Sequence, residues 1–184
     1  MAETDSRQTD PATSVIDPLR ALVREVPDFP HAGILFRDIT PLLGDATAFR
    51  SSVDLLAAAY PDVDVVVAIE SRGFILGAPV AYAMRVGLVP ARKIGRLPRA
   101  TVSASYDLEY GTNSVEMHED ALTAGARVLI VDDLLATGGT VEAAVALVER
   151  LGGVVAGIAV LAELSALGGR ERLAKYDVTS LIVY

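Results

Sequence analysis

An α/β fold with a mostly parallel central sheet flanked by helices is what this sequence predicts, and three observations carry the expectation. Val65–Ile69, Arg127–Val131 and Val154–Leu161 are short, largely β-branched and unalternating, as strands buried on both faces must be. Segments with apolar residues at helical spacing separate them. Two of the runs end in polar turns that carry glycine, at Glu70–Gly73 and Asp132–Thr140. Strands alternating with helices favour parallel pairing. Ligands of such sheets sit beyond the carboxyl ends of the strands, which is where both turns fall.

The elements follow in order. Residues 1–13 are polar and lack the basic start and apolar stretch of a secretory signal, so they read as a solvated, disordered tail. Residues 14–184 then form a single domain, and the 52% apolar content is enough for one core. Asp17–Pro18 reads as a cap and first position of a helix whose face is Leu19, Leu22, Val23 and Val26, stopped by Pro27. The segment from Asp28 to Gly44 looks like loop. Asp45 caps the next helix, with Phe49, Val53, Leu56, Ala57 and Tyr60 along one side. The run Val65–Ile69 leads into a helix over Phe74–Val86, and Leu88–Ala91 is a further strand. Residues 95–112 read as a long polar loop, a length that in a compact domain goes with function or mobility. After Thr140 a helix presents Val141, Ala144, Val145, Val148 and Leu151 on one face, and Ser180–Val183 is a last short strand.

Composition excludes several classes. A net charge of −8 speaks against a general nucleic-acid binder, whose affinity comes largely from phosphate contacts. Arg92, Lys93, Arg96 and Arg99 nevertheless cluster, which in an acidic chain suggests a local anion site. No run of about 18 apolar residues appears, so no membrane span is expected. The absence of cysteine rules out disulfides and thiolate zinc sites and agrees with a cytoplasmic protein. His31 and His118 lack metal-ligand or triad spacing.

The chemistry concentrates in Val128–Thr140. A buried strand delivers Asp132 and Asp133 to the sheet edge, and the turn Ala136-Thr137-Gly138-Gly139-Thr140 opens a helix. Glycines let main-chain N–H groups close on an anion, threonine hydroxyls add donors, and the helix start adds its positive dipole end. Two carboxylates are acceptors only and suit sugar hydroxyls. Together these describe a site for a ribose 5-phosphate. The Gly-Lys-[Ser/Thr] ending of a P-loop is absent, as is a dinucleotide Gly-x-Gly-x-x-Gly. A shared metal on Asp132 and Asp133 is disfavoured because neighbours on a strand point opposite ways.

This segment resembles the phosphoribosyl pyrophosphate (PRPP) motif of the type I phosphoribosyltransferases. Further stretches resemble the adenine-specific branch of that family: Val26–Pro30, Gly33–Leu43, Glu70–Phe74 and Ala104–Gly111. Ala32 stands where that branch usually has proline. The resemblance spans roughly residues 19–184 and implies the type I fold, with a small hood and a flexible catalytic loop. It assigns Asp132 and Asp133 to the ribose hydroxyls, and Ala136, Thr137, Gly138, Gly139 and Thr140 to the 5-phosphate. Ser71, Arg72, Arg92 and Lys93 go to the pyrophosphate, with Ser71–Arg72 expected in a cis peptide and Arg92 expected to act across a dimer interface. Leu35, Phe36, Arg37 and Leu164 go to adenine, Phe36 by stacking. Glu109 handles the proton, Arg72 assists catalysis, and Tyr110 packs over the site from the loop.

The implied reaction joins adenine to PRPP, giving AMP and pyrophosphate. Mg²⁺ is held mainly by substrate and water, with no direct protein ligand, and a homodimer is expected. The sequence leaves open a 6-oxopurine such as hypoxanthine or xanthine as the base. A non-catalytic RNA-binding regulator on the same fold is a further alternative, against which the acidic balance and the Glu109 loop both count.

Overall fold

The structure, a computed structural model, describes residues 11–107 and 112–184. The chain divides into two compact units, Met1–Ser52 and Val53–Tyr184.

The first unit opens with α1 (Pro11–Ala21). It starts before the expected Asp17–Pro18 cap and carries Pro18 inside it, at the cost of a helical hydrogen bond. It also ends early. Leu22 and Val23 donate to Leu19 and Arg20 at 3.1 Å in a tightened last turn, and the chain then runs into β1 (Arg24–Pro27), read from sequence as helix. The reason is non-local. β1 pairs antiparallel with β2 (Leu35–Asp38), setting Glu25 opposite Arg37 and Arg24 opposite Asp38. Both cross-strand pairs are ionic: Arg37 with Glu25, and Arg24 with Asp38 at 3.8 Å. The ribbon turns at Asp28, whose Oδ1 accepts from Gly33 N at 2.8 Å. Next comes α2 (Thr40–Gly44), where Asp38 Oδ1 takes the Thr40 N–H at 2.9 Å. The segment 28–44, expected to be loop, thus holds a strand and a short helix. Asp45 does cap α3 (Ala46–Ala58), accepting from Thr47 and Ala48 N at 3.0 and 2.9 Å.

The second unit is built on β3 (Val65–Ile69), β4 (Gly87–Lys93), β5 (Thr101–Asp107), β6 (Thr112–His118), β7 (Arg127–Leu135), β8 (Val154–Glu163) and β9 (Val178–Val183). They form one sheet in the order β5-β6-β4-β3-β7-β8-β9. Strands β4, β3, β7, β8 and β9 are parallel, and the hairpin β5–β6 adds antiparallel at the β4 edge. Within the expected long loop over 95–112, Thr101–Asp107 is a strand and Thr112 opens the next. Their signal was a two-residue alternation: Val102, Ala104 and Tyr106, then Val115 and Met117, turn toward the core.

Two helices cover the sheet. α4 (Gly73–Met84) packs on β3, β4 and β7, and α5 (Gly139–Arg150) on β5 to β8. Val67 and Ile69 of β3 and Val128 and Ile130 of β7 share a core with Val141, Ala144, Val145 and Val148 of α5. Residues of the opposite parity, Ala68 and Val131, meet Gly77 of α4. The central strands are thus buried on both faces, which is why their sequences do not alternate. From β3 the chain passes first to β4 on one side and later to β7 on the other, so a topological switch point lies between the carboxyl ends of β3 and β7.

Candidate active site

A cleft of about 330 Å³ opens at that switch point, lined among others by Ser71, Arg72, Lys93, Asp132, Asp133 and Thr140. A smaller hollow of about 60 Å³ continues it along Ala136–Val141 and shares Asp132, Leu134 and Thr140 with the first. Most of the residues assigned by motif to the sugar, 5-phosphate and pyrophosphate therefore line these two adjoining hollows. A larger cleft of about 410 Å³ lies at the other end of the strands, beside Asp64, Gly87 and Ala121–Ala126. It contains no part of any motif.

β7 runs on through the acidic pair to Leu135, so Asp132 and Asp133 are strand residues, 9% and 5% exposed. Asp132 Oδ1 accepts from Asp133 N at 2.9 Å, and Asp133 Oδ2 lies 3.0 Å from Arg72 Nε. Burial pushes the Asp132 carboxyl well above the ordinary carboxylate range, and the negative Asp133 pushes the same way. Burial raises Asp133 too, opposed by the Arg72 guanidinium. Two buried carboxyl groups thus stand side by side, with one cation, Arg72, against Asp133.

The turn after β7 passes through Gly138 at φ +81°, a left-handed conformation that glycine adopts without strain. Gly138 caps α5, and its carbonyl takes the Glu142 N–H at 2.9 Å. Among the described residues, no protein acceptor takes the N–H groups of Thr137, Gly138 or Gly139. Three donors at the start of a helix are what an anion needs.

On the β3 side the non-proline cis peptide is Glu70–Ser71, one residue before the expected Ser71–Arg72. The Ser71–Arg72 peptide already belongs to the helical turn that starts α4: Phe74 and Ile75 donate to the Ser71 and Arg72 carbonyls at 3.2 and 3.0 Å. Such a turn requires trans peptides. Arg92 lies beside the cleft rather than on its wall. Its Nε donates to Glu70 Oε2 at 3.1 Å and its Nη1 to the Arg96 carbonyl at 2.9 Å. Lys93 N donates to the same Glu70 oxygen at 3.0 Å. Burial alone would raise the Glu70 carboxyl; the donors from Arg92 and Lys93 outweigh it and hold it below its ordinary value.

Three curated or solved proteins show what this architecture is similar to. The phosphoribosyl transferase domain model matches residues 47–183. The adenine phosphoribosyltransferase of Roseiflexus sp. (strain RS-1) is 56% identical over 168 residues, covering 90% of this chain and 98% of that one. The chain belongs to the adenine phosphoribosyltransferase family. The crystal structure of the family member from Thermoanaerobacter pseudethanolicus is 53% identical, with a TM-score of 0.90 over 92% of this chain and 99% of that one. The adenine phosphoribosyltransferase from Saccharomyces cerevisiae, solved with an imino-altritol bisphosphate and adenine, is 38% identical with a TM-score of 0.87 over 92% and 99%. The type I phosphoribosyltransferase fold expected from the motifs is the fold of this chain.

The other residues assigned to this phosphoribosyltransferase site from sequence belong to separate segments of the chain. Leu35, Phe36 and Arg37 form most of β2, where Phe36 meets Phe29 edge-on with ring centroids 5.1 Å apart. Leu164 follows the end of β8, its N–H donating to the Leu135 carbonyl at 2.9 Å. Glu109 and Tyr110 fall outside the described residues. Three residues lining the cleft carry no role assigned from sequence: Glu70, Tyr106 and Leu134. Tyr106 carried a signal in the alternation of β5, Glu70 in opening the Glu70–Phe74 stretch, and Leu134 in its place within Val128–Thr140.

Proposed function

We propose that this phosphoribosyltransferase transfers the 5-phosphoribosyl group of PRPP to adenine, releasing AMP and pyrophosphate. The observation that carries the reading is the cleft and adjoining hollow at the β3–β7 switch point. Together they join two buried carboxylates, two cations and a glycine turn whose amides are not committed to protein acceptors. The yeast relative's adenine complex supports the choice of base.

In this mechanism the N–H groups of Thr137–Gly139 and the Thr137 and Thr140 hydroxyls hold the 5-phosphate, and Asp132 and Asp133 accept from the ribose hydroxyls. Arg72 and Lys93 face the diphosphate and stabilise the charge that grows on it as the anomeric C–O bond breaks. Adenine N9 forms the new bond to the anomeric carbon through an oxocarbenium-like transition state. Glu109 takes the proton lost from the base, and the loop carrying it and Tyr110 excludes water as a competing nucleophile. Leu35, Phe36, Arg37 and Leu164 are assigned to adenine on the strength of their motifs.

Among the described residues no group of three or more His, Cys, Asp or Glu is disposed to hold a metal. The Mg²⁺ ion of this proposal is carried mainly by diphosphate oxygens and water, and the carboxylates lining the cleft are Glu70, Asp132 and Asp133. When bound, the ion neutralises diphosphate charge. We further place the protein in the cytoplasm as a homodimer. No helix among the described residues is long and apolar enough to cross a membrane.

The test is turnover of adenine, hypoxanthine, xanthine and guanine with PRPP, with and without Mg²⁺. AMP formation from adenine far exceeding any 6-oxopurine product is expected. Preference for a 6-oxopurine overturns the base assignment, and no turnover of any base overturns the activity.

A further inference from the structure

The turn that carries the three amide donors is seated against a segment that no motif includes. After β8 the chain makes a short 3-10 turn, Ser165–Leu167, and then the four-residue helix α6 (Gly169–Arg172). Gly169 is buried at its start. A Cβ on Gly169 would lie 2.3 Å from the Ala136 carbonyl oxygen, 3.1 Å from Gly138 N and 3.0 Å from Leu135 Cδ1. From the other side, a Cβ on Gly138 would lie 3.0 Å from the Gly169 carbonyl oxygen and 3.2 Å from its Cα. The two segments touch main chain to main chain. Gly169 is not among the positive-φ residues, so space and not conformation demands glycine here.

The backing segment is itself anchored. Arg170 grips buried Glu163 with two bonds of 2.9 and 2.6 Å and donates to the Val178 carbonyl at 2.9 Å. At the other end Leu164 N is tied to Leu135. A turn pressed on a wall fixed at both ends has little room to shift.

We infer that Gly169 is a positioning residue for the 5-phosphate: it forms the back wall of the Ala136–Gly138 turn, and its missing side chain sets where the Gly138 N–H stands. This rests on the phosphate role proposed for that turn. An added methyl must push the Ala136 carbonyl and the Gly138 amide out of place, because backbone cannot swing aside as a side-chain end can. Displacements of about 1 Å at a binding constellation cost up to roughly 100-fold.

The experiment compares Gly169→Ala with Gly157→Ala. The second variant, in the amino half of β8, sets a Cβ 2.0 Å from Tyr60 Cε1, a severe clash with a side chain away from the site. Ribose 5-phosphate affinity by calorimetry, KM for PRPP, KM for adenine and Tm are measured on both and on wild type. Gly169→Ala is expected to weaken ribose 5-phosphate and raise the PRPP KM by about tenfold or more, with the adenine KM little changed. Gly157→Ala is expected to lower Tm and leave the PRPP KM near wild type. A wild-type PRPP KM in Gly169→Ala, or losses in both variants that simply follow Tm, overturns the inference. If Gly169→Ala does not fold, Arg170→Lys loosens the same wall without adding atoms; a raised PRPP KM supports the inference and an unchanged one overturns it. Wild type that fails to bind ribose 5-phosphate overturns the phosphate role itself, whereas wild type that binds it beside an unaffected Gly169→Ala overturns only the role of Gly169.

Discussion

Replacing Asp132 by asparagine separates what this carboxylate does for the ligand from what it does to the fold. Asp132 is 9% exposed and stands next to a second buried carboxylate. Asparagine keeps an oxygen for the 2.9 Å bond from Asp133 N, so that N–H keeps its acceptor. What disappears is one negative charge that burial and Asp133 both disfavour. Relief of that charge is expected to stabilise the protein at pH 7 by about 1 kcal/mol, raising Tm by roughly 2–4 °C for a chain of this size. The sign with pH follows from the raised carboxyl. The folded state holds the Asp132 proton more tightly than the unfolded state, so ionisation costs stability at neutral pH and the cost fades as pH falls through the folded value. The gap between variant and wild type must therefore shrink on acidification. Function moves the other way. Losing a charged acceptor for a ribose hydroxyl costs about 1.5–3 kcal/mol, or roughly 10- to 150-fold in PRPP affinity. Thermal unfolding from pH 7 down to pH 5 and calorimetric PRPP titration read both effects. A variant less stable than wild type at pH 7, or a gap that widens in acid, refutes the reasoning.

Glu163→Gln weakens the Arg170 fork. Arg170 first, against the opposing effect of burial, holds this carboxyl below its ordinary value of 4.5, so its stabilisation is present above that value and lost as pH falls through the folded one. The variant should lose about 1–3 kcal/mol at pH 7 and show a flatter acid limb in denaturant titrations; an unchanged limb contradicts the assignment. Glu116→Ala strips the acceptor from Arg96 N, Leu97 N and the Thr101 hydroxyl, at 2.9, 3.1 and 3.1 Å. Hydrogen exchange at Arg96 and Leu97 should accelerate, and stability should fall by about 1–3 kcal/mol; retained protection counts against it. Glu109→Gln should lower kcat by about 10²–10⁴ with ribose 5-phosphate affinity intact, and a near-wild-type kcat removes Glu109 from the chemistry.

The fold class was legible because its signals are short-range. Val65–Ile69 and Arg127–Val131 announce doubly covered strands through composition alone, and the Asp45 cap acts on residues two and three positions on. The β5–β6 hairpin was equally local and was obscured by its polar residues: Ser103, Ser105 and Ser114 face outward while Val102, Ala104 and Val115 alternate with them. The β1–β2 ribbon had no such trace. Arg24–Pro27 fits a helical period as well as a strand until Leu35–Asp38 lies beside it.

By itself the sequence points to a sugar-phosphate site, since strand, acidic pair, glycine turn and helix start are contiguous from Val128 to Thr140. A contiguous segment brings its donors and acceptors with it wherever the fold puts it. The tertiary structure alone decided that Arg92 serves Glu70, that Arg72 compensates Asp133, and that Gly157 and Gly169 leave room for Tyr60 and for the phosphate turn. Ion pairs and excluded volume act only between atoms already brought within a few ångströms, and for these residues the approach is made by strand order and helix packing, which no stretch of neighbouring residues encodes.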